Sequence, residues 1–296
     1  VQAPTMVAPA MNQAMWHHPA TVTNLEALSK IGLEIIEPDS GSQACGDIGV
    51  GRMQEPAQIA ERVSARFRSE ILRGRKLVIT AGPTREAMDP VRYISNYSSG
   101  KMGYALANAA VEAGAEVTLI SGPVNISSPQ KCLLVNVTSA EDMYQAAKEA
   151  CAEGDIFISA AAVVDYRCIA ISGEKIKKTK NLITMSLERN VDIVRNISNL
   201  KPNLFVVGFA AETENLIENA KIKLRQKKID AIIANDVSRP DIGFNADDNE
   251  AYWITSNVEK HLKRNSKSKL SREIIQLIAA AISKHKTAAV CEERIG

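Results

Sequence analysis

The residues whose types and spacing could do chemistry are concentrated in one short segment. A short apolar run, Leu77–Thr80, breaks at the turn Ala81–Thr84, and Ser98–Gly103 then opens a predicted helix with the sequence Ser-Ser-Gly-Lys-Met-Gly. A strand, a tight turn and a helix start rich in small residues present backbone N–H groups and the positive end of a helix dipole to an anion. The pattern indicates a site for a phosphorylated ligand, with Gly100 and Lys101 among its contacts.

Two familiar phosphate-binding motifs do not fit this segment. The Walker loop requires Gly-x-x-x-x-Gly-Lys-Ser/Thr, but Gly100-Lys101 is followed by Met102, and Ser95 stands where the first glycine belongs. The Gly-x-Gly-x-x-Gly fingerprint of dinucleotide-binding proteins is also absent from this turn. An ordinary strand–loop–helix junction, with Gly100 and Gly103 serving only helix packing, therefore remains an alternative on local pattern alone.

The composition is that of a soluble globular protein. The 296 residues are 45% hydrophobic and 24% charged, which allows two domains. A net charge of +2 and an aromatic content of 4% argue against a nucleic-acid-binding surface. The five cysteines include no C-x-x-C pair, which argues against a disulfide framework or a zinc site and favours a reducing cytoplasm. No apolar run approaches the ~18 residues of a membrane span.

The first part of the chain differs from the rest. Residues 1 to about 63 are loop-rich around two helical patterns, Thr21–Ile31 and Pro56–Arg68, which are too few elements to bury a core alone. Val1 is not a start methionine, so we expect the chain to begin inside a domain. The charged stretch at residues 66–75 is typical of a linker.

After this linker, strands and helices alternate. Strands are predicted over residues 76–80, 116–121, 133–137, 155–161, 204–210 and 230–234. Helices are predicted over residues 101–113, 140–151, 214–228 and 270–283. The alternation predicts a doubly wound, mainly parallel α/β sheet.

In such a sheet the ligand crevice lies at the carboxyl ends of the strands. Polar residues follow four of the predicted strands: Asn96, Asp165, Glu212 and Asn235. Their shared position predicts that they contribute to one site.

Three groups of lysines allow more than one interpretation. Lys175 lies in the loop-like run Glu174–Lys180, which is either a solvated surface or a flexible segment that swings over a bound triphosphate. Lys223 and Lys227 share one helix face; most lysines of this helix are expected to be solvated, and one or two could reach phosphates. The run Lys263–Lys269 is predicted to be an exposed loop without a function.

Cys45 lies in a glycine-flanked loop, where a thiol is accessible, although a lone cysteine is usually inert. The adjacent His17 and His18 make a poor metal site, because neighbouring residues rarely converge on one ion.

Together these residues resemble a known family. The motifs Ala81–Glu86, Asp89–Gly103, Ala161–Arg167, Glu174–Lys178 and Gly208–Thr213 closely resemble the phosphopantothenate–cysteine ligase half of the bacterial bifunctional coenzyme A biosynthesis family. Earlier in the chain, Pro9-Ala-Met-Asn-Gln-Ala-Met-Trp16 resembles the P-x-M-N-x-x-M-W motif of the family's phosphopantothenoylcysteine decarboxylase half, and Ala44–Asp47 resembles its substrate-covering flap.

The resemblance implies an architecture. A Rossmann-like ligase domain would occupy residues 73–286, preceded at residues 1–72 by the C-terminal part of a flavodoxin-like decarboxylase domain. Residues 287–296 would be an unrelated tail. The family's flavin-binding segment and upstream catalytic histidine have no match, because all four histidines follow Asn12. We therefore expect a complete ligase with a truncated decarboxylase, and FMN binding and decarboxylation only in a full-length parent.

The resemblance also implies site residues. Asn96 matches the asparagine that handles the acyl intermediate, and Lys175 matches a lysine that contacts the triphosphate. Asn12 and Cys45 match the substrate-contacting asparagine and the flap cysteine of the decarboxylase. The implied cytidine nucleotide pocket comprises Ser159, Ala160, Ala161, Asp165, Val191, Asp192, Ile193, Val194, Phe209, Lys223 and Lys227.

The implied activity is CTP-dependent ligation of 4′-phosphopantothenate to L-cysteine through an acyl-cytidylate, with Mg²⁺ bridging the phosphates, in a cytoplasmic homodimer formed through the ligase domain. Two rivals come from other classes. A nicotinamide-dependent oxidoreductase would share the parallel sheet but requires the glycine fingerprint, and a non-catalytic scaffold is favoured only by the truncated first domain. Release of pyrophosphate would distinguish the ligase from both.

Overall fold

The structure is a computed structural model that describes residues 4–44, 46–66, 68–177, 183–212, 214–236 and 245–292, with side chains as far as Ser283. The chain divides into two compact units, unit 1 (Val1–Arg68) and unit 2 (Ser69–Gly296), and each is described by itself. Within the described ranges, no helix has both the length and the apolar character that a membrane crossing requires.

Unit 1 consists of short elements. They are β1 (Met6–Val7), α1 (Gln13–Trp16), α2 (Pro19–Lys30), β2 (Glu34–Ile35), β3 (Asp39–Ser42), β4 (Ile48–Arg52) and α3 (Pro56–Arg66). Strands β1 and β2 pair in parallel, and β3 and β4 form an antiparallel hairpin. Among the described residues of this unit, Ile36 and Pro38 are the buried residues with apolar side chains. Both predicted helices are present.

Unit 2 holds the remaining elements. They are β5 (Lys76–Ala81), β6 (Arg85–Ala87), β7 (Tyr93–Ser95), α4 (Lys101–Glu112), β8 (Glu116–Ser121), β9 (Cys132–Asn136), α5 (Ala140–Glu153), β10 (Ile156–Ser159), β11 (Tyr166–Cys168), β12 (Leu187–Arg189), α6 (Ile193–Leu200), β13 (Phe205–Glu212), α7 (Leu216–Lys227), β14 (Ala231–Asp236), β15 (Asp248–Ile254), β16 (Glu259–Ser266) and α8 (Lys267–Glu292).

Eight of these strands form the central sheet in the order β9-β8-β5-β10-β13-β14-β15-β16. The six strands from β9 to β14 are parallel, and β15 and β16 add an antiparallel edge. Numbered along the chain, the parallel strands follow the order 3-2-1-4-5-6 of the Rossmann fold. The predicted doubly wound, mainly parallel sheet is therefore confirmed, and its switch point lies between β5 and β10.

The sheet is covered on both faces because its central strands are apolar on both sides. Helices α4 and α8 pack on one face, over Leu77 and Ile79 of β5. Helices α5, α6 and α7 pack on the other face, over Val78 of β5 and Phe157 of β10. The resulting two-sided core explains why the central strands read as unbroken hydrophobic runs.

Three antiparallel hairpins were not predicted from the sequence: β6–β7, β11–β12 and β15–β16. The prediction of an exposed loop over Lys263–Lys269 is wrong. These residues form the end of β16 and the first turn of α8, and Lys267 is buried. Edge strands often carry charged residues, so a lysine-rich edge strand lacks the apolar alternation by which a strand is predicted.

Candidate active site

A cleft of about 510 Å³ opens at the carboxyl ends of the strands on either side of the switch point. Its described lining residues are Asn96, Tyr97, Ser98, Ser99, Gly100, Lys101, Met102, Gly103, Ala160, Ala161, Ala162, Val163, Asp165, Phe209, Ala211, Asn235, Asn249 and Lys267. Three of the four polar strand-end residues expected to form one site, Asn96, Asp165 and Asn235, therefore share this cleft.

A second depression of about 450 Å³ lies at the start of α7. Its lining includes the carboxylates of Glu218, Asp236 and Glu250, without a lysine or an arginine among its described lining residues. A carboxylate-rich wall repels a phosphorylated ligand, so the cleft at the switch point is the better candidate.

The Gly100 turn forms one wall of the cleft. Gly100 precedes α4 with φ of +76°, and a Cβ atom there would lie 2.8 Å from Cγ1 of Val124. Both constraints favour glycine. The hydroxyl of Ser98 accepts a hydrogen bond from the Gly100 N–H at 3.2 Å. Backbone N–H groups in the first turn of a helix have no helical acceptor, so the Met102–Gly103 segment suits an anion, as the sequence predicted.

Asn96 bridges two loops at the mouth of the cleft. Its Nδ2 donates to the carbonyl oxygen of Val163 at 2.8 Å, which joins the loop after β7 to the loop after β10. The residue is exposed. An amide that uses its nitrogen on the protein keeps an acceptor oxygen for a ligand, so Asn96 is oriented to contact one.

The β6–β7 hairpin carries a buried carboxylate at its tip. The Asp89 side chain is inaccessible and accepts hydrogen bonds from the N–H groups of Val91 (2.8 Å), Arg92 (2.7 Å) and Ile176 (3.1 Å). Arg92 Nε donates to the same carboxylate at 2.9 Å. Burial alone would raise the pKa of Asp89, but these donors outweigh burial and lower it to about 2. Asp89 is therefore charged at neutral pH.

These contacts fix the loop that holds Lys175. On one side, the Ser172 N–H donates to the Met88 carbonyl at 3.0 Å. On the other, Arg92 donates to the Ile176 carbonyl at 2.5 Å, in addition to the bond from Ile176 N–H to Asp89. Lys175 itself is exposed between these anchors. The expected flexible segment is thus tied down at residues 172 and 176, while Lys178–Lys180 lie outside the described residues.

The other residues implied for the nucleotide pocket divide into two sets. Ala160, Ala161 and Phe209 line the cleft with Asp165, whereas Ser159 is buried at the end of β10 and does not. The segment Val191–Val194 lies at the start of α6. Its Ile193 is buried in the core that Ala161 also contacts, and Val191 and Val194 pack against that core.

Lys223 and Lys227 are held in ion pairs. Lys223 Nζ lies 2.5 Å from Oε1 of Glu212, and Lys227 Nζ lies 3.0 Å from Oδ1 of Asp192. Asp192 also caps α6 by accepting from the Arg195 N–H at 3.1 Å. None of these lysines or carboxylates lines the cleft, although β13 leads directly from Phe209 in the cleft to Glu212. We call this group the α7 ion pairs.

Two lining residues were missed by the sequence analysis. Asn249 is buried in β15 beside an irregularity of the β15–β16 pairing, which is the kind of feature that redirects a side chain. Lys267 is the first residue of α8 and is buried. Neither follows a parallel strand, so the strand-end rule that identified Asn96 and Asp165 could not find them.

In unit 1, the Asn12 motif contacts the β3–β4 hairpin. Asn12 Nδ2 donates to Oδ2 of Asp47 at 3.2 Å, and the Gln13 N–H donates to Oε1 of Gln43 at 3.0 Å. Cys45 lies outside the described residues. Of the two residues implied for the decarboxylase, the structure therefore describes Asn12 alone.

The fold and the cleft define the class of this protein: a Rossmann-type α/β protein with a switch-point cleft suited to a phosphorylated ligand. A glycine fingerprint for a dinucleotide does not follow β5, because the β6–β7 hairpin separates Gly82 from Gly100. A nicotinamide-dependent oxidoreductase is therefore not favoured.

Comparison with known proteins identifies the family. A family model described as the DNA/pantothenate metabolism flavoprotein C-terminal domain matches residues 72–282, and one described as Flavoprotein matches residues 1–68. The coenzyme A biosynthesis bifunctional protein CoaBC of Vibrio vulnificus (strain CMCP6) is 49% identical over 279 residues, covering 93% of this chain and 70% of that protein. The corresponding protein of Haemophilus influenzae is 48% identical, covering 93% and 69%.

A solved structure supports the same family assignment. The crystal structure of the C-terminal domain of a coenzyme A biosynthesis bifunctional protein CoaBC matches with a TM-score of 0.64 at 38% identity, over 73% of this chain and 100% of that chain. The chain belongs to the CoaBC family of bifunctional coenzyme A biosynthesis proteins.

Proposed function

We propose that unit 2 ligates 4′-phosphopantothenate to L-cysteine with CTP, through an acyl-cytidylate. The family membership confirms the prediction of a ligase in coenzyme A biosynthesis, whereas CTP and the intermediate are our proposal. The observation that carries it is the switch-point cleft, in which the start of α4 and Asn96 meet.

The reaction requires activation because a carboxylate has no adequate leaving group. A carboxylate oxygen of phosphopantothenate attacks the α-phosphorus of CTP, the bond to the β-phosphate oxygen breaks, and pyrophosphate leaves. The cysteine amine then attacks the acyl carbon, the acyl–oxygen bond breaks, CMP leaves and the amine loses a proton. Both steps develop charge that a fixed set of donors stabilises.

The residues of unit 2 suit these two steps. Lys175, on its anchored loop, would offer an ammonium group to the triphosphate in the first step. Asn96 would hold the acyl-cytidylate for the second. Ala160, Ala161 and Phe209 would give the cytidine an apolar wall, and the α7 ion pairs would adjoin it beyond Glu212.

Magnesium fits this site as a companion of the nucleotide. Among the described residues, no group of three or more His, Cys, Asp or Glu side chains could hold a metal ion. Mg²⁺ typically keeps several waters and binds through substrate phosphates with one or two protein oxygens. Asp165, Asn235 and Asn249 line the cleft and would supply such oxygens. Bound there, Mg²⁺ would neutralise phosphate charge.

Unit 1 belongs to the flavoprotein half of the family, and we propose that FMN-dependent decarboxylation is a property of a full-length parent. Asn12 and the β3–β4 hairpin are described parts of unit 1 that the resemblance assigns to that reaction. No step of the ligation is assigned to flavin.

The proposal is tested by pyrophosphate release from the purified chain with CTP, Mg²⁺, phosphopantothenate and cysteine, omitting one component at a time and replacing CTP with ATP. We expect release to require CTP, Mg²⁺ and phosphopantothenate, with cysteine needed for turnover. Release that is independent of phosphopantothenate, or no release from folded protein, would contradict the proposal.

A further inference from the structure

The cleft contains two cations that come from distant parts of the sequence. Lys101 is the first residue of α4 and Lys267 is the first residue of α8, and both line the cleft. These two helices pack on the same face of the sheet. The fold therefore brings two helix starts, each with a lysine, to one end of the cleft.

One short segment fixes both ammonium groups. Lys101 Nζ donates to the Asn245 carbonyl at 3.0 Å and to Oδ1 of Asp247 at 2.6 Å. Lys267 Nζ donates to the Ala246 carbonyl, and its backbone N–H donates to the Asp247 carbonyl at 2.9 Å. Because their acceptors are consecutive along the chain, the two ammonium groups are held close together.

The two lysines act on each other electrostatically. Burial lowers the pKa of Lys267, and the positive charge of Lys101 lowers it further, while Asp247 opposes both effects. Asp247 is 88% exposed at its side chain and does not line the cleft. Among the described residues that line the cleft, Asp165 is the one carboxylate, against two lysines. Among these described residues, the lysines stand at the end of the cleft where α4 and α8 begin.

We propose that Lys101 and Lys267 form a phosphoryl-binding subsite in which Lys267 contacts the ligand directly. The inference rests on the proposed function, because the cleft is assumed to receive phosphorylated substrates. Two sources offer a phosphoryl group: the β- and γ-phosphates of the nucleotide, and the 4′-phosphate of phosphopantothenate. A hydrogen bond to a charged group contributes enough to change affinity by roughly 10- to 100-fold.

The test is equilibrium binding of CTP, CDP, CMP, inorganic pyrophosphate and phosphopantothenate, each with Mg²⁺, to the parent chain and to Lys267→Met. Lys269→Met is the matched control, since Lys269 is an exposed lysine in the same helical turn. Lys267→Arg keeps the charge and should recover part of the affinity. Lys101→Met tests the same subsite from the other helix if Lys267→Met does not fold.

For the nucleotide as the source, we expect Lys267→Met to weaken CTP and pyrophosphate by ~10-fold or more and CMP by less than about twofold. For phosphopantothenate as the source, that ligand alone should weaken. Unchanged affinities for all five ligands in folded Lys267→Met and Lys101→Met would overturn the inference and leave both lysines as latches for the 245–247 segment. Failure of the parent chain to bind CTP while pyrophosphate binding depends on Lys267 would instead contradict the proposed function alone.

Discussion

The lysines of unit 2 occupy two different electrostatic settings. On α7, Lys223 and Lys227 are each paired with a carboxylate, so the α7 ion pairs carry no net charge. At the starts of α4 and α8, Lys101 pairs with Asp247 and Lys267 donates to the Ala246 carbonyl, and lysines outnumber carboxylates among the described residues that line the cleft. A balanced region suits an uncharged nucleoside, and a positive region suits phosphates. The ion-pair and hydrogen-bond partners of a lysine, rather than its spacing in the sequence, therefore indicate which part of a ligand it can bind.

Lys175, on the anchored loop, falls outside this contrast: among the described residues it has no ion-pair partner, and it does not line the cleft. We expect Lys175→Ala to slow acyl-cytidylate formation by roughly 10²- to 10³-fold, the range seen when one preorganised donor to developing charge is removed. Single-turnover formation of the intermediate without cysteine measures it. Lys177→Ala, an exposed lysine of the same loop, is the control. A near-parental rate in folded Lys175→Ala would show that Lys175 belongs to a solvated surface without a role in this step.

A smaller effect should separate the two half-reactions. We expect Asn96→Asp to slow the reaction of preformed acyl-cytidylate with cysteine by about 10- to 100-fold, since a carboxylate repels the anionic intermediate that the amide should hold. The decay of the intermediate after cysteine is added reports this step. Asn190→Asp is a matched control, because Asn190 Nδ2 donates to the next carbonyl, that of Val164, at 2.8 Å. Equal decay in both variants would make Asn96 a turn residue only.

The loop anchor should matter less than the lysine it positions. We expect Asp89→Asn to lower kcat/KM for CTP on the order of tenfold, below the ~10²-fold loss that a 1 Å misplacement can cause. Asp155→Asn removes another charge-paired carboxylate, at the opposite end of β10, and should leave kcat/KM unchanged. Equal losses of kcat/KM in both variants would show that Asp89 acts only through stability.

Asp89 should also have a pH signature. Because its pKa is lowered from 3.8 to about 2, the stability it contributes is fully present above its ordinary pKa and is lost as the pH falls through about 2. Urea unfolding at pH 7, 4 and 2.5 should therefore show a weaker acid dependence in Asp89→Asn than in the parent chain. An unchanged acid dependence would contradict the assigned charge state.

The smallest expected effect belongs to the α7 ion pairs. Lys227→Met breaks a partly exposed pair worth about 0.2–1 kcal/mol, so nucleotide affinity should fall by at most about fivefold. We expect the same factor for CMP, CDP and CTP, since this region is assigned to the nucleoside. Lys221→Met is the control, because Lys221 lies on the same helix and pairs with Glu259 at the start of β16. A loss of affinity that grows from CMP to CTP would contradict the distinction between the α7 ion pairs and the lysines at the starts of α4 and α8.

Much of this could be predicted from the sequence, and the failures have physical causes. The six parallel strands and helices α4, α5, α7 and α8 were predicted because burial on both faces leaves long apolar runs, whereas the eight-residue α6 was not predicted. Asn96 and the Gly100 turn were found because they lie in the connection between β5 and α4, and Asp165 because it lies in the loop after β10. The buried position of Lys267 could not be found, because it depends on α4 and α8 meeting at one end of the cleft.

The hydrogen bonds by which Asp89 anchors the Lys175 loop also could not be predicted, although Asp89 belongs to a motif that the sequence analysis identified. Its partner Ile176 is 87 positions away in the sequence and contributes a backbone N–H, which any residue possesses. The β6–β7 and β11–β12 hairpins were missed because strands of three residues are too short to show alternation.

The central claim is that the carboxylate of phosphopantothenate is activated in the cleft by attack on the α-phosphorus of CTP. Phosphopantothenate labelled with ¹⁸O in its carboxylate, incubated with the parent chain, CTP, Mg²⁺ and cysteine, tests it by mass spectrometry of the products. The account predicts one ¹⁸O atom in CMP and none in pyrophosphate, because the attacking oxygen leaves with CMP. Unlabelled CMP, or ¹⁸O in orthophosphate released with CDP, would contradict it.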